Sequence, residues 1–263
     1  MRARDPKASS DEETKGRFRV LGVRVDAVTP QSVIESLESA IAAQAKTYAV
    51  FSTVSSILNA REDDRMFSAI ENAGIVTPDG MPLVWLGRRR SDVGIDRVYG
   101  PDLMTEFCGK NPGSLRHFFY GGAPGVAEEM IARLRGRWPE LVVAGTLCPV
   151  VDTGSEFLEK DVDTINAAAP DVVWVGLGHP KQERWMHTHR DAINAPVLAG
   201  VGAAFDYLSG RKPEAPRWLK RSGLQWVHRL VSEPRRLWRR YLIGNSRFVL
   251  LLGRESLTSR GVS

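Results

Sequence analysis

Asp79 stands in a Pro-Asp-Gly triplet at the end of an apolar run, within the stretch IVTPDGMPLVWLGRRR at 75–90. Such a triplet is often a plain turn, because proline fixes φ, aspartate bonds its own backbone and glycine accepts positive φ. A carboxylate held in this corner would also have a fixed direction, which suits a general base that removes a proton from a substrate hydroxyl. Both interpretations stay open on the triplet alone.

Two glycine-rich stretches could bring backbone amides close to a phosphate. YGGAPG at 120–125 contains Gly121 and Gly122, and VGLGHPKQE at 175–183 contains Gly176, Gly178, Lys181 and Gln182. Glycines between a strand and a helix allow N–H groups to approach an anion near the helix start. Neither stretch matches the dinucleotide or P-loop pattern, and a tight turn without a ligand is the alternative for the first. The second adds Lys and Gln, which can bond a sugar or base.

Arg97, in GIDRVYGPDL at 94–103, is the candidate cation for a phosphate, with a surface arginine as the alternative. A metal site is not expected. Asp161-Val-Asp163 lies in a helical stretch, where residues two apart point to different faces, and the same spacing argument applies to His187-x-His189. A diphosphate leaving group would therefore be neutralised by cations of the protein itself.

Composition is that of an ordinary soluble globular protein, with 43% hydrophobic and 25% charged residues among 263. No run approaches the ~18 apolar residues of a membrane-spanning helix. The polar start, residues 1–16, lacks the apolar core of a secretory signal and is predicted to be a disordered lead. Cys108 and Cys148 offer neither a disulfide framework nor a zinc set, which fits a reducing cytoplasm.

Positive charge is concentrated in one segment. Residues 211–254 hold twelve Lys/Arg against two Glu, a balance of +10, so the remainder of a chain with net charge +5 sums to −5. The stretch LQWVHRLVSEPRRLWRRYL at 224–242 has apolar residues at helical spacing, a break at Pro234 and Ser232 as an expected cap. This pattern predicts helices that contact an anionic membrane, with a core-facing helix and a solvated arginine face as the alternative. Arg236, Arg239 and Arg240 could also reach the site and bind a lipid-linked diphosphate.

Short apolar runs alternate with helical periodicity from about residue 20 to 210, which predicts an α/β domain at 17–210 and a basic helical appendage at 211–263. A helix is expected to begin at Thr29-Pro30. Because apolar and polar residues do not alternate within these runs, the strands should be buried on both faces and form a mostly parallel, Rossmann-like sheet with helices on both faces. The predicted strands are 48–52, 74–77, 115–120, 141–146, 171–176 and 196–201.

Ligands of such sheets bind beyond the carboxyl ends of the strands. The strand-to-helix junctions are therefore expected to meet around one site. Two further junctions belong with those already named: FSTVSS at 51–56, with Thr53, and VGAAFDYLSG at 201–210, with Asp206.

The junctions occur in an order that resembles a known family. TPDGMPLVW, RVYGPDL, FFYGGAPGVAEEM, PDVVWVGLGHPKQERW, VGAAFDYLSG, APRWLKRSGLQWVHRL and EPRRLWRRYL are similar to the motifs of the WecG/TagA/CpsF family of bacterial glycosyltransferases, over roughly residues 20–245. The resemblance implies inverting, metal-independent transfer of a sugar from a UDP-sugar to a polyprenyl-diphosphate-linked saccharide. It implies no cofactor, peripheral attachment to the inner face of the cell membrane, and products such as exopolysaccharide, teichoic acid linkage units or common antigen.

Residue roles follow from the same resemblance. The family's catalytic carboxylate falls on Asp79, its stabilising arginine on Arg97, its motif glutamine on Gln182 and the acidic residue of its nucleotide pocket on Asp206. The family often has Thr-x-Asn after the second strand, where this chain reads Phe51-Ser52-Thr53. Thr53 can still donate a hydrogen bond, but the two-sided recognition of an amide is lost, which leaves the donor sugar open.

Two other functional classes fit parts of the sequence. A nucleic-acid-binding module is suggested by the pI of 9.4 and the basic, aromatic C-terminal segment. It is disfavoured because the rest of the chain is acidic and the aromatics lie at helical core spacing. A non-catalytic accessory subunit is disfavoured by the presence of the three expected catalytic side chains. The sequence leaves open the sugar, the acceptor, the linkage and whether the chain forms a homo-oligomer.

Overall fold

A computed structural model of the protein describes residues 16–110, 112–149, 159–216, 218–219 and 222–260. The lead expected at 1–16 lies outside this part of the chain except for Gly16. Residues 150–158, which precede the helix that begins at Glu159, also lie outside it.

Six parallel strands form the central sheet, in the order β4-β3-β8-β7-β5-β6. Every predicted strand is present with its ends within two residues of the expected positions, which confirms the parallel α/β prediction. Residues such as Val50, Val173 and Val175 are completely buried because helices cover both faces of the sheet. The strands are β3 (Thr47–Ser52), β4 (Ile75–Pro78), β5 (His117–Gly121), β6 (Val143–Leu147), β7 (Val172–Gly176) and β8 (Val197–Gly200).

An antiparallel hairpin precedes the sheet and was not predicted: β1 (Arg17–Val20) and β2 (Val23–Asp26). It lies beside the edge strand β4, where Asp26 Oδ2 accepts a hydrogen bond from the Val76 N–H at 2.9 Å. Arg24 pairs with Asp26 at 2.8 Å and donates to the Ala73 carbonyl at 2.8 Å. The hairpin thus covers the sheet edge through side chains, which blocks edge-to-edge pairing.

Helices connect the strands and lie on both faces. The first begins as predicted, because Thr29 Oγ1 accepts from the Ser32 N–H and Pro30 occupies the first turn. The helices of the α/β part are α1 (Pro30–Ala42), α2 (Val54–Glu62), α3 (Asp64–Glu71), α4 (Met81–Arg90), α5 (Gly100–Lys110), α6 (Val126–Arg137), α7 (Glu159–Ala167), α8 (Lys181–His189) and α9 (Ala204–Leu208).

Two cores separate these helices into two layers. One core contains Leu37, Phe107, Met130 and Phe205, so α1, α5, α6 and α9 share a face of the sheet. The other core contains residues of α2, α3, α4, α7 and α8: Ile57, Met66, Leu83, Ile165 and Trp185. The helices that follow the adjacent strands β3 and β8 therefore lie on opposite faces. Such a divergence opens a crevice between the two strand ends, where α/β proteins bind ligands.

The Asp161-x-Asp163 pair follows its helical expectation. Asp161 is buried in α7 and accepts a hydrogen bond from the Tyr120 hydroxyl at 2.9 Å, whereas Asp163 is exposed. The two carboxylates therefore point to different environments, as the period of the helix dictates.

The C-terminal segment forms α10 (Gln225–Ser232), α11 (Pro234–Trp238), a π-helical turn (Arg239–Ile243) and α12 (Gly244–Arg260). The break at Pro234 is confirmed, but the Ser232 cap is wrong. Ser232 Oγ donates instead to the His228 carbonyl at 2.9 Å within α10. Glu233 takes the cap position, and its side chain makes no capping hydrogen bond to the helix. A hydrogen bond from a serine hydroxyl to the carbonyl four residues earlier is a common alternative to capping.

These C-terminal helices bury some apolar side chains and expose others. Leu237 and Phe248 are buried, and α12 packs on α2 of the α/β part. Among the described residues, no helix combines the length and apolarity required to cross a bilayer. Apolar residues exposed on the segment are Leu224, Val227, Val231, Trp238, Leu242, Ile243, Val249 and Leu250.

His117, at the start of β5, is completely buried, and its Nδ1 accepts a hydrogen bond from Trp174 Nε1 at 3.0 Å. Burial lowers the pKa of His117 from 6.5 to about 4. The unfolded chain therefore binds a proton on this imidazole below about pH 6.5, whereas the folded chain binds it only below about pH 4. We expect the free energy of unfolding to decrease as the pH is lowered from about 6.5 to about 4.

His117→Gln, which keeps an acceptor for Trp174 but cannot titrate, should remove at most about 3 kcal/mol of this pH dependence. Urea unfolding of both proteins between pH 4 and 7 measures the difference. His228→Gln on α10 is the matched control, and its pH dependence should follow that of the unmodified protein. Parallel curves for His117→Gln and the unmodified protein would contradict the assignment.

Candidate active site

The carboxyl ends of the strands surround two adjoining cavities. The main cleft, about 600 Å³, is lined by residues that follow β3, β4, β5, β7 and β8, including Thr53, Asp79, Gly122, Gly176, Gly178, Gln182 and Asp206. The side cavity, about 100 Å³, lies between α4 and the C-terminal helices and is lined by Met81, Arg97, Gln225, Trp226 and Tyr241, among others. Thr53, Asp79 and Arg229 line both. Asp79 is thus the carboxylate shared by the two spaces.

Asp79 is held by its backbone as the corner sequence predicted. Its N–H donates to the Ser52 carbonyl of β3 at 2.8 Å, and the preceding Pro78 carbonyl accepts from the Val98 N–H at 3.0 Å. These bonds fix the corner between the neighbouring strand and the segment that leads to α5. The side chain keeps 18% exposure, so its carboxylate is directed into the site without being fully open to solvent.

Arg97 is the direct partner of Asp79. Its Nη2 lies 3.1 Å from Asp79 Oδ1, and its Nε donates to the Asp79 carbonyl. The same guanidinium donates to Gln225 Oε1 of α10 and lies 4.7 Å from the ring centroid of Tyr99. Arg97 lines the side cavity, whereas the glycine turns line the main cleft. It therefore stabilises the ionised carboxylate and joins it to the C-terminal helices.

Gly121 and Gly176 bring the two glycine turns into contact. Gly121 has φ +116°, and a Cβ there would lie 2.6 Å from the Gly176 carbonyl carbon. The next residue, Gly122, donates its N–H to the Gly176 carbonyl at 3.1 Å. Any side chain at 121 would push the turns apart, so glycine is required here by packing as well as by backbone conformation. Gly121 supports the floor, while Gly122, Gly176 and Gly178 line the main cleft.

Thr53 has a structural task in addition to its place in both cavities. Its Oγ1 accepts from the Ser56 N–H at 3.4 Å and its own N–H donates to Ser56 Oγ at 3.1 Å, which caps α2. A capping threonine is fixed in rotamer, so the hydroxyl is presented from a rigid helix start.

Asp206 lines the main cleft with its charge compensated. Lys212 Nζ lies 2.8 Å from Asp206 Oδ2 and 3.1 Å from Glu233 Oε1. Burial lowers the pKa of Lys212, but the hydrogen bonds to these two carboxylates outweigh it and raise the pKa above the ordinary value. Lys212 therefore stays charged and ties the start of α11 to the rim of the cleft.

Arg229 is the functional candidate that sequence reasoning missed. It extends from α10 to both cavities, and its guanidinium lies 5.9 Å from the ring centroid of Tyr207. Burial acts to lower the pKa of Arg229, while Tyr241, Tyr207, Tyr99 and the Asp79 carboxylate raise it above its ordinary value. Gln225 and Arg229 are four residues apart and so share a helix face, but nothing in the sequence marked Gln225 as a site residue, so this spacing alone did not point to Arg229.

Tyr99 and Tyr207 were missed as well. Both line the main cleft, and burial raises the pKa of each hydroxyl. The neighbouring Tyr207 and Asp79 raise the pKa of Tyr99 further, whereas Arg229 lowers both. The two phenols stay neutral and can act as hydrogen-bond partners for a ligand.

Some predicted binding residues lie elsewhere. Lys181 is exposed on the first turn of α8, and Arg239 is exposed with its guanidinium 5.3 Å from the ring centroid of Trp238. Neither belongs to the described residues that line the two cavities. The side chains of Arg236 and Arg240 lie outside the described part of the structure.

The site as a whole can combine proton transfer with anion binding. A carboxylate fixed in direction stands at the border of two spaces, with one arginine bonded to it and a second arginine facing both. In the part of the chain that the structure describes, no group of three or more His, Cys, Asp or Glu residues is placed to hold a metal ion.

A family model and individual relatives of this chain agree on one family of glycosyltransferases. The model of the glycosyl transferase WecG/TagA/CpsF family matches residues 18–261. An N-acetylglucosaminyldiphosphoundecaprenol N-acetyl-β-D-mannosaminyltransferase of Bacillus spizizenii is 34% identical over 184 residues, which cover 70% of each chain. Proteins of the same description from Bacillus subtilis and Staphylococcus aureus (strain MRSA252) are 31% and 27% identical, over 75% and 87% of this chain and 76% and 90% of their own. The match to the family model spans the α/β part and the C-terminal helices together, and the chain accordingly belongs to the WecG/TagA/CpsF family of glycosyltransferases.

Proposed function

We propose that this glycosyltransferase moves a sugar from a UDP-sugar to a polyprenyl-diphosphate-linked saccharide, with inversion at the anomeric carbon and with Asp79 as the base. The observation that carries the proposal is that Asp79 is the one carboxylate among the described residues that lines both cavities. A base in that position touches an acceptor on one side and a donor on the other. The names of the relatives supply the acceptor class, a diphosphoundecaprenol-linked sugar.

The main cleft suits the nucleotide sugar. It lies at the β3/β8 divergence, where parallel sheets bind nucleotides, and has a volume in the usual range for ligand sites of ~300–1,000 Å³. Gly122, Gly176 and Gly178 let backbone amides approach a diphosphate, and Asp206 and Tyr207 offer partners to the nucleoside. The side cavity, which combines Arg97 and Arg229 with Met81 and Trp226, suits the acceptor's reactive sugar.

The chemistry follows from this division. Asp79 accepts the proton of the acceptor hydroxyl as that oxygen forms a bond to the donor's anomeric carbon, and the bond from that carbon to UDP breaks on the opposite face. The charge that develops on the leaving diphosphate is offset by Arg229, which reaches the main cleft from α10. Arg97 directs the carboxylate. We propose that arginine supplies this compensation in place of a metal.

The appendage is proposed to rest on an anionic membrane. Val249 and Leu250 are 66% and 67% exposed on α12, and Val231 and Leu242 add apolar surface to a segment rich in arginine. Insertion of such side chains beneath anionic headgroups would place the side cavity near lipid-linked acceptors. Attachment to the inner face of the cell membrane is part of this proposal.

Asp79→Asn should lower turnover by roughly 10² to 10⁴-fold, because the amide keeps the shape of the side chain but cannot take the proton. UDP release in the presence of a short-chain prenyl-diphosphate sugar measures it. Asp163→Asn, at an exposed carboxylate of α7, is the matched control and should leave turnover unchanged. Near-normal turnover of Asp79→Asn would remove Asp79 from the role, and absence of UDP release by the unmodified protein would favour the accessory-subunit alternative.

Arg229→Met should reduce kcat about 10- to 100-fold, since one charged partner of the leaving diphosphate is lost while the apolar stem is kept. Arg235→Met, at an exposed position of the same segment, removes an equal charge away from the cavities and serves as the control. Equal effects of the two substitutions would mean that the segment acts through its overall charge and not through Arg229.

Val249→Ser with Leu250→Ser should weaken flotation with vesicles that contain anionic lipid, because two apolar anchors are lost. UDP binding should stay unchanged, since Asn245 is the one described residue of α12 that lines the side cavity. Removal of all residues after Gly210 should abolish flotation. Flotation of the double variant equal to that of the unmodified protein would contradict a membrane role for this face.

A further inference from the structure

Gln182 and Glu183 form a buried polar network beside the main cleft. Gln182 is 4% exposed and Glu183 is 1% exposed, yet Gln182 still lines the cleft. Gln182 Nε2 lies 2.7 Å from the Gly200 carbonyl and 3.3 Å from Glu183 Oε1. Both neighbours of Nε2 are acceptors, so only the amide nitrogen fits between them.

The orientation of the amide is therefore determined by its surroundings. A flipped amide would place Oε1 against the Gly200 carbonyl and the Glu183 carboxylate, and two hydrogen bonds would become two repulsive contacts. With Nε2 occupied, the atom left for other contacts is Oε1. It has no hydrogen-bond partner in the described part of the structure, although it is buried. Buried acceptors without partners are rare in folded proteins, because they lose their bonds to water without replacement.

Gly202 lies beside this buried oxygen at the main cleft. A Cβ at 202 would lie 3.5 Å from Gln182 Oε1, and Gly202 also lines the main cleft. Because Gly202 has no side chain, no Cβ or longer group stands between Oε1 and a ligand that approaches from this position. A donor group that entered at this point would satisfy the amide oxygen.

Glu183 is itself held from a second direction. His179 Nδ1 lies 3.2 Å from Glu183 Oε1, and His179 Nε2 lies 2.7 Å from Asn59 Nδ2 of α2. With Asn59 donating to Nε2, the histidine carries its proton on Nδ1 and donates to the carboxylate. The network thus joins α2, α8 and the end of β8, which are the elements on either side of the crevice.

We infer that Glu183 is a positioning residue that fixes the amide of Gln182, and that the nucleotide-sugar group bound by Gln182 Oε1 is a hydrogen-bond donor, a hydroxyl or an N–H. This inference rests on the proposed function. A phosphate oxygen cannot donate and is excluded as the partner of Gln182. The outward position of Lys181, the neighbouring cation of the same motif, agrees with a contact to sugar or base at this place. The ligand belongs to the donor substrate, because Gln182 lines the main cleft and not the side cavity.

The test compares the binding of nucleotides that each lack one donor. UDP, N3-methyl-UDP, 2′-deoxy-UDP, 3′-deoxy-UDP, UDP-N-acetylmannosamine and its monodeoxy forms are titrated calorimetrically against the unmodified protein. One analogue should bind about 10-fold more weakly than its parent, the loss typical of a hydrogen bond to a buried partner. In Gln182→Met, parent and analogue should bind equally, because the acceptor is gone.

Glu183 is tested by the same comparison, the ratio of the Kd of the analogue to the Kd of its parent. Glu183→Met removes the acceptor that fixes the amide, so discrimination between parent and analogue should fall to about 3-fold or less. Glu183→Gln can still accept from Gln182 and should keep most of the discrimination. A purely structural role would weaken both ligands alike and leave the ratio unchanged. If Glu183→Met does not fold, Glu183→Asp, which withdraws the carboxylate from Gln182, replaces it.

The outcomes are separable. Failure of UDP and UDP-N-acetylmannosamine to bind the unmodified protein would count against the proposed function itself. The role of Gln182 alone would be overturned if every analogue bound the unmodified protein as tightly as its parent. It would also be overturned if Gln182→Met and the unmodified protein discriminated equally between parent and analogue. Full discrimination in folded Glu183→Met or Glu183→Asp would overturn the positioning role of Glu183.

Discussion

The pairing of Asp79 with Arg97 is the interaction on which the site depends. The carboxylate is brought to the strand end by a corner bonded to β3, and the guanidinium bonds both that carboxylate and its carbonyl. Because Arg97 also donates to Gln225, the charge of the Asp79 carboxylate and the docking of α10 are parts of one hydrogen-bonded unit. Removal of either charge would leave the other partly buried and uncompensated, which costs more than the loss of a surface pair.

The C-terminal helices consequently form part of the candidate active site. Gln225 and Arg229 enter the cavities from one face of α10, and Lys212 links Asp206 on the cleft rim to Glu233 at the start of α11. A change in the docking of these helices would alter charge in both cavities. The proposed contact with a membrane would therefore act on residues that also complete the site.

The close approach of the glycine turns has a different physical origin. Gly121 and Gly176 meet at a distance that excludes a Cβ, so the floor of the main cleft is made of backbone. Backbone amides are rigid and carry no side-chain entropy, which favours them as partners for a diphosphate. The polar side chains that could read a sugar or base, such as Gln182 and Tyr207, stand around this floor.

The sequence by itself determined the parallel sheet, the order of its junctions and the corner that holds Asp79, because strand periodicity and turn chemistry are local properties. It also placed Thr53, Gln182 and Asp206 at strand ends, which parallel strands bring to one edge. The hairpin that covers β4 escaped prediction, since arginine and aspartate interrupt the apolar residues of its two short strands. Only the tertiary structure decided that Arg229 enters the cavities while Arg239 and Lys181 stay outside, and which atom of the Gln182 amide remains for a ligand. Those outcomes depend on how α10 packs and on which acceptors surround a buried amide, and the spacing of residues along a chain does not encode such contacts locally.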